Sequence, residues 1–204
     1  MNTEYTELLK EVETALDAQY MPLLSDLEKI FYKTHITISE IDSKELYKYY
    51  FERVLTIKSE NNETILEILY RDKKISEETF FILSNVRLSL FKVKKVRKET
   101  FIVIDLFEPK IKIELPLTYY WKAISKNDII QSFFYKTTPP QLSIDGITHS
   151  KSVKKFIQNK VSEILESENV ESEKELFIRR LFRNFVIFQR YSHKTALEIY
   201  ELEL

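Results

Sequence analysis

Residues 86–115, VRLSLFKVKKVRKETFIVIDLFEPKIKIEL, decide the fold class. The stretch alternates apolar and polar side chains, the period-two pattern of a half-buried strand. Val86, Leu88 and Leu90 hold one phase, Phe91 and Val93 take the other, and Val96 switches back. A one-residue slip moves every side chain to the opposite face, so phase changes of this kind predict a bulge or a strong bend. Residues 101–107, FIVIDLF, are apolar on both faces, as a strand inside a sheet is. In residues 110–115, KIKIEL, the alternation predicts Ile111, Ile113 and Leu115 inward, with Lys110, Lys112 and Glu114 outward. Pro109 blocks ladder pairing at the junction. Three such consecutive strands form an antiparallel β-meander. A fourth strand is expected over residues 129–135, and a fifth element over 142–147 that turns at Asp145-Gly146.

Outward from this centre the period becomes helical. Leu8, Leu9, Val12, Leu16 and Tyr20 predict an amphipathic helix over 3–19, with Thr3 as its N-cap. Pro22 fits the first turn of a second helix, striped by Leu23, Leu24, Leu27, Ile30 and Phe31. A third is expected from Asp42 or Ser43 through Leu46, Tyr47, Tyr50, Phe51 and Val54. Asn61-Asn62 marks a turn, 64–70 continues as helix, and Ser76-Glu77-Glu78 opens a short helix into Phe80, Phe81 and Leu83. Beyond Ser150, a helix carries Val153, Phe156, Ile157, Val161, Ile164 and Leu165 on one face. After the charged break ESENVESEKE, a helix over 173–191 gathers Leu176, Phe177, Leu181, Phe182, Phe185 and Phe188 in one arc, and 193–204 forms a last short helix. The expected fold is α+β: N-terminal helices over 1–75, a central strongly bent antiparallel β-meander or small barrel over 76–149, and C-terminal helices over 150–204. The three parts can together form one domain.

Composition narrows the chemistry. Fourteen Phe and twelve Tyr among 204 residues supply the apolar bulk that a core of this size needs. The net charge of −1 hides a division, −7 over residues 1–80 and +6 over 81–204. Opposite charges of this kind attract within a fold or present two faces to partners. The absence of Cys excludes disulfides, thiolate metal sites and cysteine nucleophiles. A single glycine, Gly146, excludes phosphate-cradling loops, dinucleotide fingerprints and nucleophile elbows, each of which needs several. The acidic, amphipathic N-terminus lacks the basic start and apolar block of a signal peptide, and no run approaches a membrane span. The cytoplasm is the expected compartment.

The stretch SLFKVKKVRKETFIVIDLFEPKIKIELP, with ISKNDIIQSFFYKTTPPQLSIDGITHS after it, resembles a pattern in uncharacterised bacterial proteins that carry a small barrel-like β-meander, some with SEC-C-type zinc tails. In those a strand reads -LY-V--V, the next --L-DLLTGE, and a third -GDIL-AR-. Leu90-Phe91-Lys92-Val93 matches the first, Asp105-Leu106-Phe107 the second, and Lys126-Asn127-Asp128-Ile129-Ile130 the third. The likeness covers about a third of the chain. Both turn glycines are missing, and a zinc tail cannot exist without Cys. The resemblance implies a strongly bent sheet within a helical protein; it implies no reaction and assigns no functional residue.

Three groups of residues are candidates for contact with a partner. Lys92, Lys94, Lys95, Arg97 and Lys98, interleaved with apolar residues, can track a phosphate backbone, or can guard a sheet edge against aggregation. At 100° per residue, Arg179, Arg183 and Arg190 fall on one stripe of the 173–191 helix, able to grip phosphates or an acidic surface, or simply to be solvated. Tyr119, Tyr120 and Trp121 can stack on bases, anchor a partner, or pack as core. His35, His149 and His193 show no metal-ligand spacing. His149, Ser150 and Asp145 are triad residue types, but side-by-side residues cannot point at one another as that chemistry requires; capping by Ser150 is the better expectation. Asp105 within its apolar strand is expected to pair with Lys112 or Arg97.

No catalytic or metal residue and no cofactor is assigned. The expected function is a non-catalytic protein-binding or scaffold role in the cytoplasm, through a protein partner or self-association and not a membrane. The alternative is nucleic-acid binding through 92–98 and the arginine stripe. A third reading, an enzyme using carboxylates, Tyr or Lys, requires a deep pocket gathering Asp105, Asp128 or His149.

Overall fold

The structure, a computed structural model, describes residues 4–35, 51–59, 61–190 and 194–201; within these, the side chains at 28, 30–35 and 190 are not described. The protein is α+β, with a strongly curled antiparallel half-barrel sheet and helices at both ends of the chain. The elements in order are α1 (Tyr5–Ala15), α2 (Met21–His35), α3 (Ile65–Arg71), α4 (Glu77–Ser84), β1 (Arg87–Val96), β2 (Thr100–Asp105), β3 (Lys112–Pro116), β4 (Ile129–Tyr135), β5 (Gln141–Leu142), β6 (Ile147–Thr148), α5 (Lys154–Leu165), α6 (Val170–Arg190) and α7 (Ala196–Glu201). Short 3-10 turns cover Tyr119–Trp121 and Lys151–Val153. The sheet order is β3-β2-β1-β4-β5, and β6 pairs with β4. By compactness the chain divides into two units, Met1–Arg87 with Phe133–Asp145, and Leu88–Ser132 with Gly146–Leu204.

The first unit is mainly helical. α1 buries Tyr5, Leu8, Val12 and Ala15 at helical spacing. Glu4, not Thr3, occupies its N-cap position, without a side-chain cap bond; Thr3 lies outside the described residues. Pro22 stands in the first turn of α2, where its missing N–H costs nothing. Of the expected third helix, residues 36–50 lie outside the described residues; 51–54 are helical and bury Phe51 and Val54. Asn62 makes the expected turn with a left-handed φ of 62°. Thr64 and Glu67 form a reciprocal capping box that starts α3. The Ser76 hydroxyl accepts from Thr79 N at 3.2 Å to start α4. Glu11 of α1 reinforces that start, accepting from Ser76 N at 2.6 Å and from the Ser76 and Thr79 hydroxyls. The last residues of β4 pair with β5, Phe134 opposite Leu142 and Tyr135 opposite Gln141.

The second unit holds the meander. β2 lies between β1 and β3, as its two apolar faces predict. Phe91 stands opposite Asp105, Val93 opposite Val103 and Val96 opposite Phe101, while Lys92 faces Ile104 and Lys95 faces Ile102. The register shifts between Val93 and Lys95, so Lys94 is the extra residue of a bulge. That bulge keeps Phe91, Val93 and Val96 on one face despite their odd spacing. Ile113 and Leu115 are buried as expected, but Ile111 is exposed, because it belongs to the turn closed by its own N–H on Glu108 O rather than to β3.

The other face of the sheet is covered by helices. Leu90, Phe107 and Ile129 pack with Ile157, Val161 and Ile164 of α5, Phe177, Ile178 and Leu181 of α6, and Ile199 and Tyr200 of α7. Each such side chain contributes about 1.5–3 kcal/mol by leaving water. Leu165 and Leu176 are exposed, contrary to the stripes that include them. Leu165 ends α5, and Leu176 lies in the charged first turns of α6, outside the packed region. α7 begins at Ala196, later than the start expected at 193; residues 191–193 and 202–204 lie outside the described residues.

Candidate functional site

The exposed end of the curled sheet carries most of the candidate residues. Arg97 N donates to Thr100 O at 2.8 Å and closes the β1–β2 turn. Leu117 N donates to Glu99 O at 2.8 Å, which brings the Tyr119–Trp121 turn to the same end. On the other side of β1, Asn127 N donates to Val93 O and Val93 N to Asp128 O, at 2.8 and 2.9 Å, so the 122–128 segment lies there too. Asn127 reaches that pairing with a left-handed φ of 71°, a conformation Asn tolerates better than other side-chain-bearing residues.

The three adjacent aromatics divide their tasks. Trp121 is 5% exposed and packs toward Phe101, ring centroids 6.4 Å apart. Tyr119 and Tyr120 are 78% and 61% exposed. Their rings meet edge to face at 6.0 Å, and Lys122 Nζ lies 5.3 Å from the Tyr119 ring centroid. Trp121 is the anchor and the two tyrosines are the presented surface.

The basic strand is also divided. Lys94, Lys95, Arg97 and Lys98 are exposed. Arg97 is bound to Glu114 at 2.6 Å, and Thr100 donates to the same carboxylate at 2.7 Å; these bonds lower the Glu114 pKa. Lys92 is half-buried and donates to Gln158 Oε1 at 2.7 Å. Burial, with the charges of Lys94 and Lys154 nearby, holds its ammonium below the usual lysine range. Lys154 in turn pairs with Asp128 at 2.7 Å, and the other Asp128 oxygen accepts from Ser125 N at 2.7 Å.

Of the arginine stripe, the Arg179 and Arg183 part is not an exposed face. Over residues 177–188, α6 has no exposed residue, and Arg179 and Arg183 are half-buried. Arg179 Nη2 pairs with Glu175 at 2.6 Å, one turn earlier. The Arg190 side chain lies outside the described residues.

His149 is enclosed in structure. Its Nε2 lies 3.2 Å from Gln131 Oε1 and its Nδ1 3.0 Å from Tyr200 OH. Gln131 Nε2 donates to Ile178 O at 3.1 Å. The Gln131 amide thus offers its oxygen to His149, so Nε2 carries the proton and Nδ1 accepts from Tyr200. Burial lowers the His149 pKa to about 3. Ser150 stands at the N-cap of the 151–153 turn but makes no side-chain cap; its hydroxyl is 3.0 Å from that of Ser152. Asp105 accepts from Ser89 Oγ at 2.8 Å and from Phe107 N at 2.9 Å, a local turn-forming arrangement. Its expected partners are placed otherwise: Arg97 holds Glu114, and Lys112 is exposed.

Sequence reasoning passes over a polar cluster in the first unit. Glu52 is buried, and its Oε1 accepts from Ser143 Oγ at 2.7 Å. Tyr5 and Tyr135 stack at 4.3 Å between ring centroids, and Tyr5 OH accepts from Ile144 N at 2.5 Å. Burial raises both phenols, and the Glu52 charge raises them further. A cleft of about 160 Å³ borders this cluster, lined in part by Tyr5, Phe51, Glu52, Ile144 and Asp145. A protonated phenol both donates and accepts, and Tyr5 OH accepts from Ile144 N. The one signal was a buried-strand Tyr, which needs a partner; nothing in the sequence marks Glu52.

Among the described residues no group of three or more His, Asp or Glu can hold a metal ion, and no helix is long and apolar enough to cross a membrane. Comparison with protein-family models, curated proteins and solved structures finds no match for this chain.

Proposed function

We propose that this is a non-catalytic binding protein that meets its partner with the exposed end of its curled sheet. The observation that supports this reading is the pair Tyr119 and Tyr120, held out in solvent by a turn whose third residue, Trp121, is buried. Large aromatics are costly to leave in water and strong as anchors once a partner covers them. The polar groups considered for chemistry are engaged in structure: His149 between Gln131 and Tyr200, Asp105 on Ser89 and Phe107, Asp128 on Lys154 and Ser125. A protein partner or a second copy of the chain would use the tyrosines; a nucleic acid would use tyrosines and lysines together, and the positive charge of this end favours it. A cysteine-free chain suits a reducing compartment such as the cytoplasm.

The test is capture from a lysate that retains both proteins and nucleic acids, at low salt, by the wild type and by a Tyr119→Ala/Tyr120→Ala variant. Material held by the wild type and lost by the variant supports the reading. No capture, or equal capture by both, contradicts it.

A further inference from the structure

The geometry points to single-stranded nucleic acid as the partner of this surface, an inference that rests on the binding reading above. Leu88–Ser132 contains nine Lys or Arg and five Asp or Glu. Asp105 and Asp128 are buried, and Glu114 is taken by Arg97. Glu108 lies at the β2–β3 turn, the opposite end of the meander, with Lys110 and Lys112. At the tyrosine end this leaves exposed Lys94, Lys95, Lys98, Lys122 and Lys126 against one further exposed acid, Glu99.

The bulge matters here. It makes Lys94 the extra residue, so that Lys94 and Lys95 are both exposed although they are consecutive in a strand. The alternative expectation, that these lysines guard an edge strand, is not met: β1 lies inside the sheet, between β2 and β4. This end also carries two exposed rings, one within reach of Lys122 Nζ, on a segment tied to the β1–β2 turn by Leu117 N on Glu99 O. A backbone of phosphates matches the cations, and unstacked bases match the ring faces. A duplex hides its base faces within the stack and cannot use the tyrosines. An acidic protein surface also matches the lysines, but only a single strand repeats a charge and a planar ring at every unit along its length.

The test is fluorescence anisotropy on the full chain, with labelled oligo-dT and oligo-U of about 12 nucleotides, a duplex of the same length, and polyglutamate as competitor. Single strands bind at low salt, and log K falls against log salt with a slope of about −3, as for four phosphates neutralised. Tyr119→Ala/Tyr120→Ala weakens binding about tenfold or more, whereas Tyr119→Phe/Tyr120→Phe keeps it, since stacking needs the ring and not the hydroxyl. Lys94→Ala/Lys95→Ala/Lys98→Ala lowers the slope by about 2. These are surface positions, and unchanged circular dichroism confirms that the variants fold. The inference is overturned by no binding at low salt, by equal affinity for the duplex, or by equal competition from polyglutamate with no effect of the tyrosine variants. If single strands fail while the wild type still captures a protein through its tyrosines, only the nucleic-acid inference falls; if it captures nothing, both readings fall.

Discussion

Gly146 lies against Trp121 so closely that a Cβ on the glycine would stand 2.7 Å from Trp121 Cη2, and 2.8 Å from Ser132 Oγ. The chain's single glycine therefore answers to space and not to a left-handed backbone. It lets β4 and the segment entering β6 close around the anchor whose two neighbours, Tyr119 and Tyr120, face solvent.

Gly146→Ala is accordingly expected to cost about 1–3 kcal/mol, the range for forcing a methyl group into a packed site. Urea unfolding followed by far-UV circular dichroism, a signal that does not depend on Trp121, the only tryptophan, measures it. Trp121→Phe in the same background removes one of the clashes and restores part of the loss. A double-mutant cycle should therefore show a coupling of about 1 kcal/mol; strict additivity would mean that the two side chains do not meet.

The buried His149 gives the stability a pH dependence of known sign. Its pKa is about 3 in the folded protein and about 6.5 when exposed. Below pH 6.5 the unfolded chain takes up a proton that the folded chain refuses. The contribution is complete above that pH and is lost as pH falls towards 3, at about 1.4 kcal/mol per pH unit. Denaturant titrations of wild type and His149→Gln across this range should diverge in slope by one proton, with the wild type the steeper. Parallel curves would show that the imidazole is not held neutral.

Glu11 joins two helices through the N-terminus of α4. Glu11→Ala should cost about 1–3 kcal/mol, because Ser76 N and two hydroxyls lose an ionised acceptor. Hydrogen exchange should quicken at the start of α4. Glu13→Ala, at an exposed site on the same helix, should stay within about 0.5 kcal/mol.

Asn127 carries a left-handed backbone on a side-chain-bearing residue. Asn127→Gly should be neutral or stabilising by up to about 1 kcal/mol, and Asn127→Val should cost about 1–2 kcal/mol. Thermal denaturation of the two variants checks the order; equal melting temperatures would rule out the strained backbone.

Much of the fold is legible because period reports burial. The slip at Phe91–Val96 marks the bulge at Lys94, and the fourth strand expected over 129–135 coincides with β4. Periodicity gives a face but not the extent of cover, which is why Leu176 is exposed and the Arg179–Arg183 side of α6 is half-buried. Three adjacent aromatics look alike in a sequence; only the 3-10 turn separates Trp121 from Tyr119 and Tyr120. Partnerships across long separations, such as Glu52 with Ser143 or His149 with Gln131, leave no local pattern at all.

The most direct measurement of the central claim is a ¹H–¹⁵N correlation titration of the full chain with a short single-stranded oligonucleotide at low salt. The amides of residues 94–99, 118–122 and 125–127 should shift first and together, with those of α1 and α4 unmoved. An unchanged spectrum, or shifts centred on the cleft beside Glu52, would contradict the account.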